Sequence, residues 1–234
     1  VLTLLLAATS LSATRTPIVS GRITIDGKPA AGVCVSDGVR IVKTDSDGYY
    51  AIGGDKSEGF VFVITPSGTM APVKDSLSPQ FWAALKPDNS SERHDFDLVK
   101  ADQSSYTILF ITDEHLTNDS TKHDLHYFGN VTMPLIKTLA SEDAKRGPVY
   151  SFNLGDLSHD VFWYSNDFQL DDAKKELIKH GFPAPLYSVS GNHDNDGATV
   201  GKNVELGAEW MYRKLMGLEY YSVNIGKRHW IMVD

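Results

Sequence analysis

The chain has 234 residues, 41% of them hydrophobic and 22% charged, which excludes wholesale disorder, a collagen-like repeat and a polytopic membrane protein. Its formal net charge of −8 argues against a broad nucleic-acid footprint. Acids and bases number 11 and 10 in residues 1–100 but 19 and 12 in residues 101–234, so chemistry that needs carboxylates is expected in the second half. The single cysteine, Cys34, excludes an internal disulfide and a cysteine-rich metal site.

Leu2 to Ala8 is a short apolar run followed by small residues through Ala13, like the apolar core and cleavage region of a secretory signal peptide without its charged start. It is shorter than the about 20 residues a membrane-spanning helix needs. Residues 1–16 are therefore expected to be a signal remnant, with the rest exported to the periplasm or the cell exterior. The chain opens on Val1 and stops at Asp234 directly after the strand-like run HWIMVD, so both ends read as cut.

From Pro17 to about Val99, short apolar runs alternate with turn dipeptides. Strands are expected at Gly21–Ile25, Gly32–Ser36, Arg40–Thr44, Tyr49–Ile52, Phe60–Thr65 and His94–Leu98. Asp26-Gly27, Asp37-Gly38 and Asp47-Gly48 supply the positive backbone dihedrals of tight hairpins, so a small all-β sandwich is expected at 17–100. Asp37, Asp45 and Asp47 read as turn residues, because an EF-hand loop needs a Glu at its twelfth position and helical flanks. Cys34, between Val33 and Val35, reads as one packed sulfur. Lys86 to His94 and Lys100 to Ser105 read as loop and linker.

In residues 101–234 the texture changes to alternating strand and helix. Tyr106–Thr112, Val149–Leu154 and Leu186–Val189 are apolar runs of the kind buried on both faces of a parallel sheet. Helices are expected around Tyr127–Lys145, with Val131, Leu135 and Leu139 four apart, at Asp171–Lys179 and at Glu205–Met216. Tyr220–Ile225 and His229–Val233 form a hairpin across Gly226-Lys227. This alternation predicts an α/β fold, in which ligands gather beyond the carboxyl ends of the strands.

Those ends carry ligand-type residues. The first strand delivers Asp113-Glu114-His115, the second Gly155-Asp156-Leu157-Ser158-His159-Asp160, the third Gly191-Asn192-His193-Asp194. Asp113 and His115 are two apart, so on extended backbone they point the same way and can chelate one ion. Gly155 and Gly191 permit tight turns just before the ligands. Asp, His and Asn suit a divalent ion such as Mn, Fe or Zn.

All three blocks in order, each after a strand, resemble the calcineurin-like metallophosphoesterase superfamily, whose blocks read D-x-H, G-D and G-N-H-D/E. The hairpin YYSVNIGKRHWIMVD is similar to the segment that follows them, and GKPAAGVCVSDG…TDSDGYYAI resembles a carboxypeptidase-regulatory-like, immunoglobulin-type module. The layout resembles secreted Bacteroides-type members. The resemblance implies a four-layer αββα phosphoesterase domain, here its N-terminal portion at 101–234, behind an N-terminal module with no chemistry of its own.

It further implies a binuclear-metal hydrolase of phosphomonoesters or phosphodiesters, with a metal-bound hydroxide attacking phosphorus. Asp113 and His115 would hold one metal, Asp156 would bridge, and Asn192 would hold the second. His193 would protonate the leaving group and Asp194 would orient His193. The substrate would be a small phosphoester, with no nucleic acid and no membrane span. The family's later histidine and Gly-His-x-His block have no counterpart after His193, so both metals are expected to be under-coordinated in these 234 residues. His159 reads as facing substrate or solvent, and His123, His126, His180 and His229 as structural or surface residues. The alternative is an exported binding or adhesion protein whose phosphoesterase part is degenerate.

Overall fold

The computed structural model describes residues 18–88, 90–119, 121, 123–199 and 205–234; the signal-like segment at 1–16 lies outside them. Strands dominate and helices are few. The strand Val19–Ile25 alternates buried and half-buried side chains and anchors a six-stranded sheet. It pairs antiparallel with Lys28–Pro29 and Tyr49–Ile52 and parallel with Glu92–Arg93 and Phe96–Lys100. Asp26 and Gly27 both have positive φ, 51° and 73°, the geometry a two-residue hairpin needs to match strand twist. A second, four-stranded antiparallel sheet runs in the order Trp82–Ala84, Phe60–Val63, Cys34–Ser36, Ile41–Lys43. Within the stretch expected to be loop, Glu92–Arg93 pairs with Val19–Ser20, and Lys56 Nζ holds the Glu92 carboxylate at 2.6 Å. The acidic turns act as caps: Asp45 Oδ1 accepts from the amides of Asp47 and Tyr49, each at 2.9 Å.

In the second half Thr107–Ile111, Val149–Asn153 and Leu186–Ser188 form a parallel sheet in that order, with Ile111 opposite Asn153 and Asn153 opposite Ser188. This sheet separates two apolar clusters. Tyr150, Phe152 and Tyr187 join Ile23, Phe81, Leu98 and Tyr221 on one side. Leu186 joins Leu77, Met133, Leu177 and Tyr212 on the other. Because the first cluster contains residues of both halves, the N-terminal sheets and the parallel sheet share a core. Polar bonds cross the same seam: Gln103 Nε2 donates to Tyr150 Oη at 2.7 Å, and Asn224 N–H donates to the Thr65 carbonyl at 3.0 Å.

Two expectations are corrected. Thr107–Ile111 lies at the sheet edge, and its apolar run is not buried on both faces: Phe110 packs against Phe152 and Trp230 yet is 54% exposed. The expected helix over 127–145 is two helices, Asp124–Tyr127 and Met133–Asp143, joined by a π turn at Phe128–Thr132. That turn inserts one extra residue, about 100° of rotation at 3.6 residues per turn. Phe128, Met133 and Ala140 therefore face the core, while Val131, Leu135 and Leu139 stand 58%, 58% and 50% exposed.

Leu170–Lys179 forms as expected, its start closed by a reciprocal cap in which the Gln169 amide donates to Asp172 Oδ2 at 3.0 Å. The last expected helix is broken at Glu209 into Glu205–Ala208 and Trp210–Leu215. The hairpin Tyr221–Ile225 and Arg228–Met232 turns on Gly226. No helix among the described residues is long and apolar enough to cross a membrane.

Candidate metal and phosphoester site

The loops after the first two parallel strands keep running side by side beyond the sheet. Asp113 N–H donates to Gly155 O at 3.1 Å, His115 N–H to Asp156 O and Leu116 N–H to Leu157 O at 2.9 Å, and Leu116 bridges Ser158 in parallel. This prolonged ladder brings the His115 side chain against that of Asp156. Asp113, His115 and Asp156 all hold positive φ, 58°, 45° and 58°. Such left-handed backbone costs non-glycine residues about 1–3 kcal/mol, a strain that collects at functional sites.

The third loop closes on the second through glycine. A Cβ on Gly191 would overlap Asp156 Oδ1 and its backbone, and one on Gly155 would meet Gly191 Cα at 2.8 Å. Only hydrogen fits at either position.

Asp156 sits at the centre. Its Oδ2 lies 3.3 Å from His115 Nε2, and its Oδ1 accepts the His193 amide at 2.9 Å. Donor atoms of His115, Asp156 and His193 all lie within 4.8 Å of one another, and so do those of His159, Asp160 and His193. The imidazole centroids stand 4.9 Å apart for His115 and His193, 5.0 Å for His115 and His159, and 4.3 Å for His159 and His193.

The other expected ligands are less converged. Asp113 is exposed, its Oδ2 accepting the Thr112 hydroxyl at 2.6 Å, and it belongs to neither group. Asn192 is exposed at the start of the short turn Asn192–Asp194.

The expected role of Asp194 is corrected. Its carboxylate is fully buried and accepts the Ser158 amide at 2.9 Å, the Ser158 hydroxyl at 3.2 Å and the Gly191 amide at 3.2 Å. Asp194 thus ties the second loop to the third. The residue on the His193 ring is Asp160, whose Oδ1 lies 2.7 Å from Nδ1. The cause is the fold of the third loop, which turns back on itself so that Asp194 points under Gly191. Burial pushes the Asp194 carboxyl above its usual range, against the amide bonds that favour its charge. Burial likewise lifts Glu114 to about 7, with the Asp194 and Asp113 charges adding to it.

Sequence reasoning passed over Asp160, Ser158 and Glu114. A signal for Asp160 was present, since it stands four residues after Asp156 in the same loop. Contact with a ring 33 residues away was not readable from that spacing.

The comparisons bear on the first half. Residues 17–101 match the family described as the N terminal of calcineurin-like phosphoesterase, a segment that ends before Tyr106 and contains none of the candidate site residues. No curated protein matches the chain, and no solved structure does. Residues 17–101 thus match the N-terminal region of the calcineurin-like phosphoesterase, which supports assigning the chain to that superfamily.

Proposed function

We propose that this chain is a metal-dependent phosphoester hydrolase. The observation that carries the reading is the approach of His115 Nε2 to Asp156 Oδ2 at 3.3 Å, with the His193 ring beside them, at the ends of three parallel strands. The donor set fits a borderline divalent ion: imidazole nitrogen and carboxylate oxygen, partly buried, on a brace that leaves Asp156 little freedom. His115 and Asp156 would hold the first ion, with Asp113 beside them, and Asp156 and Asn192 the second. Bound divalent ions supply positive charge that neutralises phosphoryl oxygens and activates the attacking water.

The chain's own residues do the rest. Bonding to the Asp160 carboxylate makes His193 Nδ1 the donor and turns Nε2 outward as the atom that holds or delivers a proton. A proton placed on the leaving oxygen in this way is worth about 10²–10⁴ in rate. Asp194 and Ser158 keep the loop under His193 fixed. The substrate class is a small phosphoester. In the same reading, residues 17–100 form a β-sandwich that positions residues 101–234, an α/β phosphoesterase portion of four-layer type, and the chain is exported.

Turnover of an aryl phosphate measured beside metal content tests this. Asp156→Asn should lose Mn(II) first, because a neutral amide cannot bridge two cations well, whereas His193→Gln should lose turnover while keeping Mn(II). Failure of the unmodified chain to retain Mn(II) or Zn(II) through dialysis overturns the reading. Loss of metal in His193→Gln, with normal turnover per remaining ion, would make His193 a ligand instead of an acid.

A further inference from the structure

We propose that His159, Asp160 and His193 form a second, inhibitory site for a borderline cation such as Zn(II), sharing His193 with the site described above. Their donor atoms lie within 4.8 Å of one another, close enough for one ion to draw them together with small side-chain shifts. Both rings turn Nδ1 toward one oxygen, Asp160 Oδ1, at 3.7 Å from His159 and 2.7 Å from His193. The three side chains are partly buried in one corner, with the His159 and His193 rings 4.3 Å apart.

The corner is held by its surroundings. The chain on either side is pinned by Asp194 on Ser158, and Trp163 Nε1 donates to the Ser158 hydroxyl at 3.1 Å. The His159 ring packs edge-on against Phe162 at 5.2 Å. Gly197 lies against the other carboxylate oxygen, where a Cβ would sit 2.8 Å from Asp160 Oδ2, so its missing side chain keeps that oxygen approachable.

Two imidazoles and one carboxylate are a usual three-residue set for zinc, with a fourth position left to water. Mn(II) and Mg(II) prefer oxygen donors, so the corner discriminates against them. An ion here needs His193 Nδ1 without its proton and takes over the Asp160 oxygen, which breaks the bond that holds the His193 ring in its proton-delivering form. The existence of the site stands on this geometry alone; its inhibitory effect rests on the proposed hydrolase function.

Two measurements on the whole chain separate these claims. Equilibrium dialysis against Zn(II) should show one ion fewer on His159→Gln than on the unmodified protein, and His115→Gln should still bind the ion that His159→Gln loses. His159→Phe, which keeps a ring against Phe162 but removes both nitrogens, should behave as His159→Gln does, guarding against a folding defect. In Mn(II)-loaded protein, Zn(II) titration should suppress turnover, and His159→Gln should shift the inhibiting concentration up by more than about tenfold, the lower end of what even an outer-sphere partner is worth. Equal Zn(II) stoichiometry in His159→Gln and unmodified protein overturns the site. Loss of the ion in His159→Gln with no change in Zn(II) inhibition overturns the inhibitory role. If no phosphoester is turned over, the hydrolase reading fails, and the dialysis result still decides the site.

Discussion

Asp160 Oδ1 lies 2.7 Å from His193 Nδ1, joining the second loop of the parallel sheet to the ring delivered by the third. The bond fixes which nitrogen carries the proton and where the ring points. Asp160→Asn should therefore reduce turnover by about 10–100-fold, the usual cost of losing a partner that orients a working histidine. Metal content in Mn(II) should stay within error of the unmodified protein. Simultaneous measurement of both quantities checks this.

Asp194, which follows His193 directly, should respond differently. Its carboxylate accepts the Ser158 and Gly191 amides, so Asp194→Asn leaves at least one buried donor facing another donor. The expected cost is about 1–3 kcal/mol of stability. A denaturant titration reads it, and a variant as stable as the parent refutes the brace.

Gly191→Ala should displace Asp156, because the added Cβ falls on the Asp156 carboxylate and backbone. Overpacking of this kind costs about 1–3 kcal/mol, and here the atom pushed aside is Asp156 Oδ1, the oxygen that accepts the His193 amide. Metal affinity should drop together with the melting temperature. Gly197→Ala, with only the outer Asp160 oxygen to clear, should be milder in both.

Helix Met133–Asp143 provides a test of its register. Met133 is 1% exposed and Leu135 58% exposed. Met133→Ala should cost about 2–5 kcal/mol, as large-to-small core changes do. Leu135→Glu should stay within about 0.5 kcal/mol of the parent. The reverse order would mean that the π turn at Phe128–Thr132 is absent.

Glu209 gives a pH signature. Burial, then the neighbouring Glu219 and Asp234 charges, push its carboxyl from 4.5 up to about 7, against the Arg213 guanidinium that lowers it. In that window the folded chain holds the proton more tightly than the unfolded chain does. Stability from this group is therefore present at low pH and falls as pH rises from 4.5 toward 7. Glu209→Gln should flatten that part of the profile, and thermal unfolding across the window measures it.

Much of this architecture is local and was legible in the chain. Asp26-Gly27 sets a hairpin because the backbone of those two residues dictates the turn. The runs before Asp113, Asp156 and Gly191 make strands because their apolar side chains need cover. Motif residues placed directly after strands land at one end of a parallel sheet whatever the loops do, so the approach of His115 to Asp156 follows from connectivity.

What tertiary structure alone decided depends on phase and on distant partners. One extra residue in the π turn rotated Val131, Leu135 and Leu139 into solvent, a shift that spacings of four cannot reveal. Phe110 on Thr107–Ile111 stayed half in solvent beside Phe152 and Trp230, since what covers a face of the sheet is set by the elements packed on it and not by the strand's own apolar run. The choice of Asp160 over Asp194 as the partner of His193 was made by how two loops fold against each other. A carboxylate next to a histidine in sequence can point away from it, while one 33 residues distant, carried on a braced turn, comes within bonding range.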